Sequence, residues 1–286
     1  MRSDPLGADL HCHSSASDGT RPPAEVVRRA VAAGVSSLAL TDHDTVAGLT
    51  EAASARPAAL TLIPGMELSC RRDGHSVHLL AYLFDAEHSE LAAQCQRIRH
   101  SRLERAQAIV ARLRELGVPV TWEQVKRIAG GGVVGRPHIA RAMIEAGVVS
   151  SVAQAFTPEW IGPGGRAHVR RYALDPGLAI GLVRAAGGVS VLAHPRAATR
   201  GWQVPESLIG ELAAAGLSGI EVAHPDHDPD DRAWLLTLAA GLGLVATGGS
   251  DDHGQLTRDR IGCERTAPDA IDRLLSGASG AQVIGG

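Results

Sequence analysis

Aromatic side chains are scarce: Phe, Trp and Tyr together make up 3% of 286 residues. A core of ordinary size must therefore rest on Ala, Val, Leu and Ile, and a hydrophobic content of 44% is enough to build one. Neither sign of charge dominates, since 28 Lys+Arg against 31 Asp+Glu leave a formal charge of −3. That balance gives no sign of the broad basic surface typical of a duplex-binding protein. It leaves room for a small anionic ligand, which a few arginines can hold. The four cysteines, Cys12, Cys70, Cys95 and Cys263, form no CxxC pair, which argues against a structural zinc site or a disulfide framework. They read as buried or idle thiols in a reducing compartment. No apolar run reaches the length of a membrane span. The opening stretch MRSDPLGADLHCH lacks the basic region and apolar run of a signal peptide. The cytoplasm is the expected compartment.

What the chain does have is punctuation, with 33 glycines and 15 prolines, and a strand–helix rhythm at both ends. Strands are expected at residues 8–10, 37–40, 60–63 and 77–84, with helices at 23–33 and about 46–55. After the midpoint, helices at 176–186, 205–215, 230–242 and near 269–275 alternate with strands at 189–193, 219–222 and 244–247. Repeated strand–helix units predict an α/β fold with a mostly parallel sheet, closed or doubly wound. Residues 85–170 break the rhythm. They hold a long charged helical pattern at 87–116, further helices at 122–129 and 139–146, a GGGVVGRP turn, and the loop TPEWIGPGGRAH. The domain reading is a barrel from residues 1–84 and 171–286, with 85–170 as a small helical insertion that caps it.

Histidines and acids gather at the strand ends. His11 and His13 follow the first strand, and residues two apart in an extended segment face the same side. Asp18 lies just beyond. Asp42, His43 and Asp44 follow the second strand, and Glu67 the third; His194 closes SVLAH, and Asp251 and His253 close LVATGGSDDH. In barrels of alternating strands and helices, functional groups collect at the C-terminal strand ends. Any one of these residues alone would be an ordinary turn or cap residue, but together they outnumber the ligands that one ion needs. Imidazole and carboxylate without thiolate suit Mn²⁺, Fe²⁺ or Zn²⁺ in a catalytic role.

At these residues the sequence resembles the polymerase and histidinol phosphatase (PHP) superfamily. DLHCHSSASDG, TDHD, PGMELS, VHLLAY, AHPR and GGSDDH follow that family's motif series in order over nearly the whole chain. GRPHIAR and EVAHPDH look like its nucleoside 3′,5′-bisphosphate phosphatase branch, which is related to a ribonuclease that trims RNA from its 5′ end. The resemblance implies a distorted (β/α)₇ barrel with two to three divalent ions, Mn²⁺ foremost. One ion would take His11, His13, Glu67 and Asp251; Glu67 would bridge to a second held by His78 and His194. A third would take Asp18, His43 and His253. His78 enters from the family register, with His75 as its rival. Asp9, Asp42 and Asp44 are expected to orient ligands.

The reaction expected is hydrolysis of the 3′-phosphate of nucleoside 3′,5′-bisphosphates, extending to short 5′-phosphorylated RNA. Clustered divalent ions supply hydroxide at neutral pH and neutralise phosphoryl charge. Asp251 could orient that hydroxide, and His194, His227 or His253 could protonate the leaving group. Arg136, His138, Arg166, Arg196 and His227 are the substrate-binding candidates, with Arg166 standing where relatives tend to carry Lys. His224 and His227 both follow the strand GIEV, and one of them is expected to face the phosphate or the leaving group. GxGxxG, GxxxxGK[ST] and GxSxG are absent from the positions where dehydrogenase, P-loop and serine-hydrolase chemistry would need them. Two alternatives stay open: another phosphoester (histidinol phosphate, a cyclic phosphodiester or a specialised metabolite), or a non-catalytic metal-binding module that docks on a partner. No membrane and no duplex nucleic acid are expected as partners.

Overall fold

Among the described residues seven strands form one sheet, and their order across it is their order along the chain. They are β1 (Ala8–Asp9), β2 (Ser37–Leu40), β3 (Thr61–Arg72), β4 (His75–Tyr82), β5 (Val189–Leu192), β6 (Gly219–Ala223) and β7 (Val245–Gly248). The computed structural model describes residues 7–130, 134–197 and 202–285. Residues 131–133 of the GGGVVGRP turn and 1–6 of the opening stretch therefore lie outside the described residues.

Pairing is parallel at β1–β2, β2–β3, β5–β6 and β6–β7. Strand β4 runs antiparallel to both of its neighbours. Just past β1 and β7 the chain segments meet, with Asp251 N–H donating to His11 O at 2.7 Å and His13 N–H to Asp252 O at 2.9 Å. The sheet thus curls almost to closure, and the α/β fold is the distorted seven-stranded barrel that the family resemblance implies.

The distortion has a local cause. β3 does not stop at Ile63 but continues to Arg72, because Asp73 and Gly74 turn it straight back into β4. Both turn residues have positive φ, 52° and 84°, the backbone that a two-residue Asp-Gly hairpin favours. The third strand is therefore longer than its apolar run suggests, and Glu67 and His78 lie inside strands rather than at strand ends. His75, the rival to His78, is exposed and stacks on Trp202 with ring centroids 4.5 Å apart.

Helices α1 (Pro23–Ala32) and α2 (Leu49–Ala55) belong to the first half of the barrel. Between the halves come α3 (Ser89–Glu115), α4 (Trp122–Ala129), α5 (Arg136–Glu145) and α6 (Val152–Ala155). The second half contributes α7 (Pro176–Ala185), α8 (Glu206–Ala214), α9 (Pro229–Leu242) and α10 (Pro268–Leu275). Proline opens α1, α7, α9 and α10, where its missing N–H costs no hydrogen bond. Asp175 and Asp228 cap α7 and α9 through their side chains.

The chain divides into two compact units, Met1–Cys95 with Ala173–Gly286, and Gln96–Tyr172. The first has an aliphatic core that includes Leu10, Ile63, Leu80, Val191 and Val245. Its Tyr82 is fully buried and donates to Leu10 O at 2.7 Å. The second packs around Ile109, Leu113, Val125, Ile139 and Met143. Burial of such side chains contributes roughly 1.5–3 kcal/mol each, so each unit has the means to hold itself together.

Candidate metal centre

The two-residue alternation after β1 sets the inner wall of the site. Leu10 and Cys12 face apolar neighbours, Cys12 within the cluster of Val26, Val27 and Leu38. His11 and His13, which alternate with them, are fully buried on the other side. Gly249 lets the chain after β7 come close to this segment, since a Cβ there would sit 2.4 Å from His11 Cβ.

Buried carboxylates tie the surrounding loops. Asp9 accepts from Ser250 N–H and Gly262 N–H at 2.9 and 2.8 Å. Asp42 accepts from Ser14 N–H and from the hydroxyls of Ser14 and Ser17. Asp44 accepts from Ser69 N–H at 2.7 Å and from its hydroxyl at 2.8 Å. Strain gathers in the same place, because Asp44, His194 and Asp251 have φ of 56°, 30° and 47°. Left-handed backbone at non-glycine residues is costly and persists where its surroundings impose it.

Glu67 is the hub. Its Oε2 lies 3.5 Å from His11 Nε2, 3.2 Å from His13 Nε2 and 3.1 Å from His43 Nδ1. Its Oε1 lies 2.7 Å from His78 Nδ1 and 3.0 Å from His194 Nε2. Asp251 is the second hub, with Oδ1 3.4 Å from His11 Nε2, 3.3 Å from His13 Nε2 and 3.5 Å from His253 Nδ1. Asp18 reaches His253 at 3.4 Å and His43 at 3.7 Å. The structure therefore brings His11, His13, Asp18, His43, Glu67, His78, His194, Asp251 and His253 into one cluster.

Imidazoles and carboxylates shift one another strongly inside the cluster. Burial opposes a charge on His13, yet the close carboxylates of Asp251 and Glu67 lift it to about 10. His11 is likewise raised against its burial, by Glu221, Asp251 and Glu67. Burial pushes the carboxyls of Asp18, Glu67 and Asp251 up, but the imidazoles around them hold each well below its usual range. Such reciprocal shifts mark groups that share a charge they cannot leave unpaired.

A divalent ion fits this donor set. His11 Nε2 and both ring nitrogens of His13 are buried and have no hydrogen-bond partner among the described residues. Orphaned buried polar atoms are rare in folded proteins. Here they converge with carboxylate oxygens in three groups: His11, His13, Glu67 and Asp251; His13, Asp18, His43 and His253; and His43, Glu67 and His78. Nitrogen and oxygen donors without thiolate are those of a catalytic site.

The substrate-side candidates are placed differently. His227 donates from Nδ1 to Val222 O at 3.0 Å and accepts Arg196 N–H at Nε2 at 3.2 Å. With both ring nitrogens on backbone, it fastens the loop after β5 and has no nitrogen to offer as proton donor or phosphate ligand. Of the two histidines after GIEV, His224 is the one at the cluster: it is fully buried and places Nε2 3.3 Å from Asp251 Oδ2. Arg196 pairs with Asp231 at 2.7 Å and lies over the Trp234 ring. In the second unit, Arg136 lies over the Phe156 ring, and His138 accepts Gly135 N–H at 3.0 Å, closing the start of α5. Arg166 is exposed.

Two residues of the site are absent from the candidates that the sequence offers. Glu221 of β6 is fully buried and meets His11 Nδ1 at 3.0 Å. Burial raises its carboxyl, but His11 and His224 bring it down to about 2. Arg260 donates to Asp251 O at 3.1 Å. A signal for Glu221 is present, a lone acid in the apolar strand GIEVA, since an acid is almost never fully buried without a partner.

Comparison with known proteins points the same way. A PHP domain matches residues 9–116. The chain is 38% identical over 246 residues to a 5′-3′ exoribonuclease of Haemophilus influenzae, covering 86% of this chain and 89% of that protein. It is 36% identical to a 3′,5′-nucleoside bisphosphate phosphatase of Chromobacterium violaceum, covering 86% of each. Among solved structures, a Bifidobacterium adolescentis protein assigned as a metal-dependent phosphoesterase superposes with a TM-score of 0.86. The two are 31% identical, with 98% of both chains covered.

Proposed function

This chain belongs to the PHP domain family of metal-dependent phosphoesterases, and we propose that it removes the 3′-phosphate from nucleoside 3′,5′-bisphosphates and trims short 5′-phosphorylated RNA. The observation that carries the reading is the convergence of imidazoles on Glu67 and Asp251, in a chain similar over most of its length to enzymes of those names. The cytoplasm is the proposed compartment; among the described residues no helix is long and apolar enough to cross a membrane.

Two to three divalent ions held there, Mn²⁺ foremost, would acidify a water molecule and neutralise charge developing on the phosphoryl oxygens. We assign His11, His13, Glu67 and Asp251 to one ion, Glu67, His78 and His194 to a second, and Asp18, His43 and His253 to a third. Asp251 orients the attacking water. Residues 85–170, the proposed insertion domain, recognise the second anionic group of the substrate through Arg136 and Arg166. Reading a group remote from the scissile bond helps to position the bond for attack.

The test is a substrate screen of Mn²⁺-loaded protein against nucleoside 3′,5′-bisphosphates, nucleoside 5′-monophosphates, histidinol phosphate, cyclic diesters and short RNA. The bisphosphate should give the highest kcat/KM. Faster turnover of a 5′-monophosphate or of histidinol phosphate would overturn the substrate while leaving the phosphoesterase in place.

A further inference from the structure

Glu221 uses both of its oxygens, and on residues from two different strand ends. Oε1 meets His11 Nδ1 at 3.0 Å, and Oε2 accepts the backbone N–H of His194 at 2.7 Å. An ionised carboxylate can only accept hydrogen bonds, so the first contact keeps the hydrogen of His11 on Nδ1. His11 Nε2, buried 3.5 Å from Glu67 Oε2 and 3.4 Å from Asp251 Oδ1, is then the nitrogen left to give its lone pair to an ion that displaces its proton. The second contact holds the backbone of His194 where φ is 30°, and from that position His194 Nε2 reaches Glu67 Oε1 at 3.0 Å.

We propose that Glu221 is a positioning residue for the metal centre, one carboxylate that sets the tautomer of His11 and the backbone that aims His194. The proposal rests on reading the cluster as a metal centre. The outer partner of a ligating histidine fixes its tautomer and raises its basicity; here the same partner also fixes a second histidine through its main chain.

Glutamine at this position makes a sharp probe. It has the size and shape of glutamate but carries one acceptor and one donor end. The His194 N–H cannot become an acceptor, so it takes the amide oxygen. The NH₂ end then faces His11 Nδ1, which must accept, and the ring hydrogen moves to Nε2, where it blocks coordination. Alanine instead leaves space for a water, which can accept from His11 Nδ1–H. The electrostatic account therefore orders Mn²⁺ affinity as wild type, then Glu221→Ala, then Glu221→Gln.

The experiment is calorimetric titration of Mn²⁺ into the metal-stripped full chain. Glu221→Gln should bind about 10- to 100-fold more weakly than wild type, the usual scale for loss of such a partner. A packing role predicts the reverse order of the two variants, and that order would overturn the proposal, as would wild-type affinity in Glu221→Gln. A second measurement needs no variant: ¹⁵N NMR of histidine-labelled, Zn²⁺-loaded wild type should show a protonated Nδ1 and a coordinated Nε2 at His11. The opposite tautomer would overturn the proposal with the metal-centre reading intact. A wild type that takes up neither ion would overturn that reading itself.

Discussion

Between Gln96 and Tyr172 stand 13 Lys+Arg against 5 Asp+Glu, a net +8, whereas the rest of the chain has 15 against 26, a net −11. The sum is the modest −3 of the whole. The two units also differ in where the charge lies. In the barrel, Asp9, Asp18, Asp42, Asp44, Glu67, Glu221, Asp251 and Asp252 are buried beside imidazoles and backbone N–H groups. In the helical unit the core is apolar, and Arg97, Arg112, Arg114, Lys126, Arg127, Arg166 and Arg170 are exposed. A whole-chain charge cannot reveal so uneven a distribution of charge between the two units.

The comparison breaks most visibly at the barrel's hubs. Glu67→Ala should lower turnover by about 10³-fold or more, the scale on which a preorganised electrostatic group acts, and metal content should fall with it. Elemental analysis beside steady-state rates checks this; Glu67→Ala with wild-type metal content would remove Glu67 from the ligand set.

A smaller and more selective effect is expected in the helical unit. A hydrogen bond to a charged group contributes about 1.5–3 kcal/mol, so Arg136→Ala should cost roughly 10- to 100-fold in kcat/KM on a nucleoside bisphosphate. Turnover of a small aryl phosphate should hardly change. Equal losses on both substrates would place Arg136 in support of the fold, through its contact with Phe156.

Salt should sharpen the contrast further. Raising ionic strength to about 0.5 M screens exposed charges and spares buried ones. The KM for the bisphosphate should therefore rise several-fold while kcat changes little. A fall in kcat at constant KM would mean that salt acts at the barrel cluster instead.

The smallest effect belongs to Cys12. It sits between two proposed ligands, yet its thiol donates to Ala39 O and packs among aliphatic side chains. Cys12→Ser should keep its metal and cost about 1 kcal/mol or less in stability, measurable by denaturant melts. Loss of metal in this variant would contradict the alternation after β1.

How far the site is legible in the sequence depends on whether each signal is local. Strands followed by acids and histidines mark the rim, because apolar runs and the polar residues that end them are neighbours along the chain. The antiparallel hairpin is also written locally, in Asp73-Gly74, but a strand–helix rhythm hides it and makes β3 end too early. His78 stands ahead of its apolar run, so only the family resemblance singles it out. Glu221 is marked only as a lone acid in an apolar strand, and Arg260 not at all, because their roles depend on pairings with His11 and Asp251 that only the fold brings about. His224 and His227 look alike as histidines after a strand. Nothing local reveals that His224 reaches Asp251 while both nitrogens of His227 are spent on backbone.

The most direct test of the central claim is the metal stoichiometry of active protein. Purified enzyme loaded with Mn²⁺, desalted and measured by elemental analysis, should hold two to three ions per chain; a chelator should remove both the ions and phosphoesterase turnover, and added Mn²⁺ should restore them together. Full turnover with one ion per chain or none would contradict a site built around Glu67 and Asp251 as shared ligands.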